Sequence, residues 1–208
     1  RMNDGTDARR LVTAAALANA RTFGGEDYIG FHTFMALSPA LEMSKELPAD
    51  RKALPVLKVL YRNSAQMQAL GGRTAEVLKP VSAAGEKGKS ETLRESVLRG
   101  DVESAERTFL GIARKSPKDA FDAIQPLVED DVDVHRVVLA YRAYAALELV
   151  GREHAHTLLR QSVRYCAKSE QQRLSRGYRL PGIRAVLPVL LERYRLLDEK
   201  DRSREAEA

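Results

Sequence analysis

Imidazole is the side chain in this sequence with the widest chemical range, because it titrates near neutrality and ligates iron, copper and haem. The chain carries four: His32, His135, His154 and His156. His32 lies inside the most apolar stretch, Tyr28 to Leu37, three residues before Met35. His135 opens a long apolar segment and shares a helical face with Leu139 and Arg142. His154 and His156 are two apart, about 200° of rotation on a helix, so they cannot both face one metal. The candidate metal ligands are therefore His32, His135 and His154, with His32 and His135 as the candidate catalytic pair. Helical bundles build such centres from facing helices. The spacing contains no Glu-x-x-His pair of the di-iron type and no Cys-x-x-Cys-His haem attachment. Taken singly, His32 reads as a core histidine with one hydrogen bond, and the others as surface or capping residues.

Other chemistry finds less support. Ala83-Ala84-Gly85-Glu86-Lys87-Gly88-Lys89-Ser90 fits a loose phosphate-loop pattern with Ala for the first Gly. That loop needs a preceding strand and a parallel sheet. Lys79-Pro80 interrupts the segment before it, so a flexible Gly/Lys loop with Ser90 as helix N-cap is preferred. No Gly-x-Gly-x-x-Gly is present, and no local signature supports a Ser-His-Asp or Cys-His triad. Cys166 is the single cysteine, which rules out an internal disulfide framework; it sits in an apolar helical face and reads as a buried thiol.

The elements that must position these residues are helices throughout. Leu11, Ala14, Ala15 and Ala18 recur at helical spacing over residues 7–21, which the Phe23-Gly24-Gly25 run ends. A second helix runs from 27 to 46, kinked or restarted at Ser38-Pro39. A third, opened by Pro48 and Asp50, stops at Gly71-Gly72. Residues 73–89 lack helical periodicity after Leu78 and read as a linker or exposed loop. Beyond them, Ser90, Asp101 and Ser116-Pro117 each open a short helix. A long helix spans 130–149, its partner 152–171, and a last helix 181–200. The tail 203–208 is polar and expected to fray. The pattern predicts an all-α fold of about eight or nine helices packed as antiparallel helical hairpins. It divides into an N-terminal helical part at 1–72 and a C-terminal one at 90–202, expected to pack together as one domain.

Composition agrees. Of 208 residues, 44% are apolar and 30% charged, neither disordered nor membrane-embedded. Trp is absent and aromatics are 6%, so the core must be mostly Leu, Val and Ala. No apolar run reaches the roughly 18 residues of a membrane span. The net charge of +5 concentrates between Arg160 and Arg195. Arg160, Arg164 and Lys168 recur every four positions and predict an outward basic stripe. A solvated face balanced by Glu170, Glu192 and Glu199 is the preferred reading, and a docking surface for an acidic partner or anionic substrate the alternative. No nucleic-acid reading motif accompanies the patch, so that partner is not expected. A cytoplasmic location is expected if Arg1 stands near the true start of the chain.

Two segments carry a family resemblance. Residues 23–37, Phe-Gly-Gly leading to Phe31-His32-Thr33-Phe34-Met35-Ala36-Leu37, resemble the opening of the questin oxidase-like family. Residues 134–141, from Val134-His135 to Tyr141, are similar to that family's His-bearing helix. The resemblance implies an all-helical protein related to enzymes that oxidise aromatic polyketides with oxygen, and it carries over to His32 and His135 only. Residue 31 is Phe where the family has a polar residue. The expected function is therefore a redox or oxygen-handling protein with a histidine-centred site for metal, haem or proton transfer. Iron or haem is then the cofactor and a small aromatic compound the substrate. The alternative is a non-catalytic helical interaction module.

Overall fold

A computed structural model describes residues 7–82 and 88–196. Among them every regular element is helical, and no strand occurs. Ten α-helical segments follow in order: α1 (Ala8–Phe23), α2 (Tyr28–Glu46), α3 (Leu54–Ala69), α4 (Ser90–Leu98), α5 (Val102–Ala113), α6 (Pro117–Glu129), α7 (Val134–Ala145), α8 (Leu147–Val150), α9 (Ala155–Ser175) and α10 (Ile183–Arg193). The fold is all-α as expected, with α8 only a single turn. The Glu-Asp tail and the middle of the phosphate-loop pattern, residues 197–208 and 83–87, lie outside the described residues, as does Glu199.

The boundaries follow local chemistry. Asp7, Asp27, Asp101, Ser116 and Asp133 each accept a backbone N–H from the first turn of the helix they precede. Ser90 is not such a cap; it is the first helical residue, and Lys89 precedes it without a side-chain bond. α2 does not restart at Ser38-Pro39; it runs as one helix from Tyr28 to Glu46 with Pro39 inside it. The long helix expected over 130–149 is instead capped by Asp133, four residues late, and divided at Ala146.

α9 is the central rod. It packs against α1, α4, α5, α6 and α7, while α1, α2 and α3 pack on one another. One hydrophobic cluster runs from Val12 on α1 through Phe109 on α5 to Ala167 on α9, so both halves of the chain share a core. This placement overturns the outward basic stripe. Arg160 and Arg164 are 4% and 9% exposed, and both donate to the Glu106 carboxylate on α5. Arg164 also pairs with Glu26. Glu170, expected on the surface, is 0% exposed and bound by Arg136, Arg173 and Arg184. Where α9 is surrounded on several sides its charges must be paired inside; Lys168 is only partly buried, and the last turn beyond Glu170 is largely exposed.

Part of the expected linker is also tied down. The amides of Val77 and Leu78 bond to the Arg21 carbonyl, Leu78 is buried, and the Lys79 carbonyl accepts from Arg160.

Candidate functional site

Two helices far apart in sequence bring His32 and His135 together. Their ring centroids are 5.0 Å apart and nearly perpendicular, at 76°. α2 and α7 pack on each other to make this contact.

α2 is held in place from behind. Asn19 Nδ2 on α1 donates to the Gly30 carbonyl, to Thr33 Oγ1 and to Asn63 Oδ1 on α3, a buried polar knot joining three helices. The Phe23 ring lies where a Cβ on Gly30 would be, 2.3 Å away, so only glycine lets α1 and α2 approach this closely. Gly25, at φ +79°, lies against the Gln161 carbonyl of α9; a Cβ there would be 2.4 Å from that oxygen. The aromatic-Gly-Gly run thus sets the angle at which α2 leaves α1.

His32 Nδ1 lies 2.7 Å from the Tyr28 carbonyl, which can only accept, so Nδ1 carries a proton. His135 Nδ1 lies 2.9 Å from Asp133 Oδ1. Asp133 Oδ1 also accepts the His135 backbone N–H, and Oδ2 accepts the Tyr165 hydroxyl at 2.6 Å. Burial opposes ionisation of Asp133, but the hydrogen bonds from Tyr165, the His135 backbone and the His135 ring outweigh it and hold the carboxyl below its ordinary value. The Tyr165 phenol is correspondingly raised, by burial and by the Asp133 carboxylate. Asp133 is therefore an anion that fixes the His135 tautomer, leaving Nε2 as the lone-pair nitrogen of the neutral ring.

Aromatic rings surround the pair. Tyr28 stands 4.3 Å from His32, and Phe31 4.7 Å from His32 and 5.2 Å from His135. Tyr165 closes on Phe31 at 5.3 Å. His32 opens into a crevice of about 350 Å³ between α2 and α3, walled by Tyr28, Ala36 and Val59 with Lys58 and Arg62 among its lining. The Tyr28, Phe31 and Tyr165 rings face a second, wider depression of about 960 Å³ on the α9 side.

Among the described residues no group of three or more His, Cys, Asp or Glu is placed to hold a metal ion. Both Asp133 oxygens are engaged, Oδ1 by His135 and Oδ2 by Tyr165. His154 is not brought to the pair. It sits in the turn before α9, 3.7 Å from the exposed Glu153, and eleven positions before Tyr165, about 16 Å along a helix. His156 stacks on Phe109, and its Nε2 is buried without a partner. Burial first, then Arg160 and Arg114, push it down to about 4, so it is neutral at physiological pH. Cys166 is fully buried and its thiol is pushed up to about 12, an unreactive side chain as expected.

Asp133, Tyr165 and Tyr28 are the site residues that sequence reasoning missed. Asp133 had a signal, an acidic residue two before His135 at the start of an apolar helix. Tyr165 had none, since it reaches Asp133 only through the packing of α7 on α9. Comparisons with protein-family models, with curated proteins and with solved structures return no match.

Proposed function

We propose that this protein carries out proton transfer on a small aromatic or enolisable substrate, with His135 as general base and His32 as its partner. The observation that supports this reading is the Tyr165–Asp133–His135 chain beside His32, in an apolar, ring-lined setting. A carboxylate that holds one imidazole nitrogen leaves the other free to take a proton, and stabilises the imidazolium that results. The group acted on would be a phenolic or enolic O–H, or an acidic C–H next to a carbonyl. The resulting anion is the form of such compounds that reacts most readily with oxygen. That links this reading to the oxygen handling implied by the resemblance to the questin oxidase-like family.

Hydrogen–deuterium exchange at the acidic C–H of 2-tetralone tests it. Wild-type protein should accelerate exchange, and His135→Ala should lose at least about a hundredfold of that rate, the lower end for a positioned base. Equal rates for wild type, His32→Ala and His135→Ala would sink the reading. Metal analysis and an absorption spectrum decide the other branch. Stoichiometric iron or haem lost in both variants would replace proton transfer by a metal centre.

A second reading, a helical interaction module, is favoured by a separate observation. α10 has no buried residue and displays Val186 and Val189, with Leu180 and Tyr194 exposed at its ends; α7 displays Val134, Val137 and Tyr141. Apolar stripes of this kind mark contact surfaces. Light scattering across a concentration series, repeated with Val186→Glu/Val189→Glu, tests it. A monomer throughout, with unchanged solubility in the variant, counts against it.

A further inference from the structure

We infer that the crevice beside His32 binds a small apolar acid, its carboxylate held by Lys58 and Arg62 and its apolar body directed at His32. This rests on the proton-transfer reading for what happens to the ligand, and not for whether it binds.

The crevice has about 350 Å³ of space, within the range of sites for small organic molecules. Its walls are the Tyr28 ring, Ala36 and Val59. Thr33 also lines it, but its hydroxyl is turned into the Asn19–Asn63 knot and offers nothing to a ligand. The polar groups left are the free nitrogen of His32 and the cations Lys58 and Arg62. Those two lie four residues apart on one face of α3, where like charges repel and weaken a helix. Both are exposed, and neither forms an ion pair with any carboxylate among the described residues. Two unneutralised cations beside an apolar slot form a site for an anion with an apolar body. A neutral hydrocarbon would leave them unused, and a strongly hydrated polyanion would find no further donors on the Ala36 and Val59 walls. His32 lines the crevice from α2, opposite Lys58 and Arg62 on α3, and its ring meets that of His135, so an acid anchored at α3 lies next to a member of the proton-transfer pair.

The test compares 2-naphthoate with 2-naphthalenemethanol, the same ring system without the charge, followed by protein NMR at low ionic strength. The expected result is at least about tenfold tighter binding of naphthoate, with the His32 ring resonances shifting on titration. Lys58→Ala/Arg62→Ala should remove the preference, Lys58→Arg/Arg62→Lys should keep it, and added salt should weaken it. Both positions are exposed, so the variants should remain folded. Equal affinity for acid and alcohol, absence of naphthoate binding, an unchanged double variant, or shifts confined to residues away from α2 and α3 would each overturn the inference. His135→Ala separates the two proposals. It should bind naphthoate like wild type while losing 2-tetralone exchange. Absence of the carboxylate preference in the wild-type protein, with 2-tetralone exchange intact, would defeat the crevice alone.

Discussion

At the scale of single residues, Asp133 has three roles on two oxygen atoms. It caps α7, orients His135 and accepts the Tyr165 phenol. Asp133→Ala should therefore lower stability by about 1–3 kcal/mol near neutrality, the sum of a lost cap and an unpaired buried hydroxyl. Because the folded carboxyl titrates below its usual value near 3.9, this contribution is fully present above that pH. It disappears as pH falls through the folded-state value. Urea unfolding of both proteins from pH 7 down to 3 should show their midpoints converging; a constant gap would contradict the ionised Asp133. Tyr165→Phe should keep the fold and change the His135 ring environment, visible in its NMR signals. His32 and His135 were legible as a pair from residue type and apolar surroundings. Their contact was not, because it depends on the α2–α7 packing, and no local spacing encodes it. The failure of His154 has the same origin. Sequence proximity to a helix start says nothing about which end of the helix the site occupies.

At the scale of elements, the glycines and the central helix decide the geometry. Gly30→Ala would set a Cβ against the Phe23 ring, and Gly25→Ala would do the same against a backbone carbonyl at a positive φ. A ring can shift a little and a main-chain oxygen held in α9 cannot. Both variants should lose stability, by about 1–3 kcal/mol for overpacking at Gly30 and more at Gly25, measured as denaturant midpoints. Arg164→Glu would place a third carboxylate beside Glu106 and Glu26. It should destabilise the whole domain by about 3 kcal/mol or more, since it leaves buried like charges together. A stable, soluble Arg164→Glu variant would restore the outward stripe. That the segments are helical was readable from 3.6-residue spacing and caps such as Asp101 and Ser116, but not every boundary was: α3 begins at Leu54 rather than at Pro48–Asp50, and α10 begins at Ile183 and ends at Arg193. Which helix lies in the middle was readable only in hindsight. Leu158, Leu159, Val163, Cys166 and Ala167 cover more than one side of α9, and a surface helix shows a single apolar stripe. The regular four-residue spacing of Arg160, Arg164 and Lys168 concealed this, because exposed and internally paired arginines have the same period.

At the scale of the whole molecule, Glu170 is the point where three elements meet. Arg136 from α7, Arg173 from α9 itself and Arg184 from α10 converge on its buried carboxylate. Burial opposes its charge, but the hydrogen bonds and charges of these guanidiniums prevail and hold its carboxyl below the ordinary value. Glu170→Gln should cost about 3–5 kcal/mol near neutral pH by leaving the arginines uncompensated. α10, by contrast, has no buried residue, and Arg184 ties it to the Glu170 carboxylate and the Asp130 carbonyl. In Arg184→Ala, amides 183–193 should exchange with solvent markedly faster while those of α9 keep their protection. Equal loss in α9 would show that α10 belongs to the cooperative core.

The position of α9 in the order of synthesis has a further consequence. The helices that pack on it, α1 and α4 to α7, are all made before it, so the parts of their faces that α9 covers leave the ribosome uncovered. At roughly 5–20 residues per second, α1 waits on the order of ten seconds for its neighbour. During that interval Phe109, Ile124 and Leu127, among the most deeply buried side chains of the finished protein, are open to any other apolar surface nearby. Slowing synthesis just before residues 155–175 should therefore raise the aggregated fraction of newly made protein, measured by sedimentation after expression.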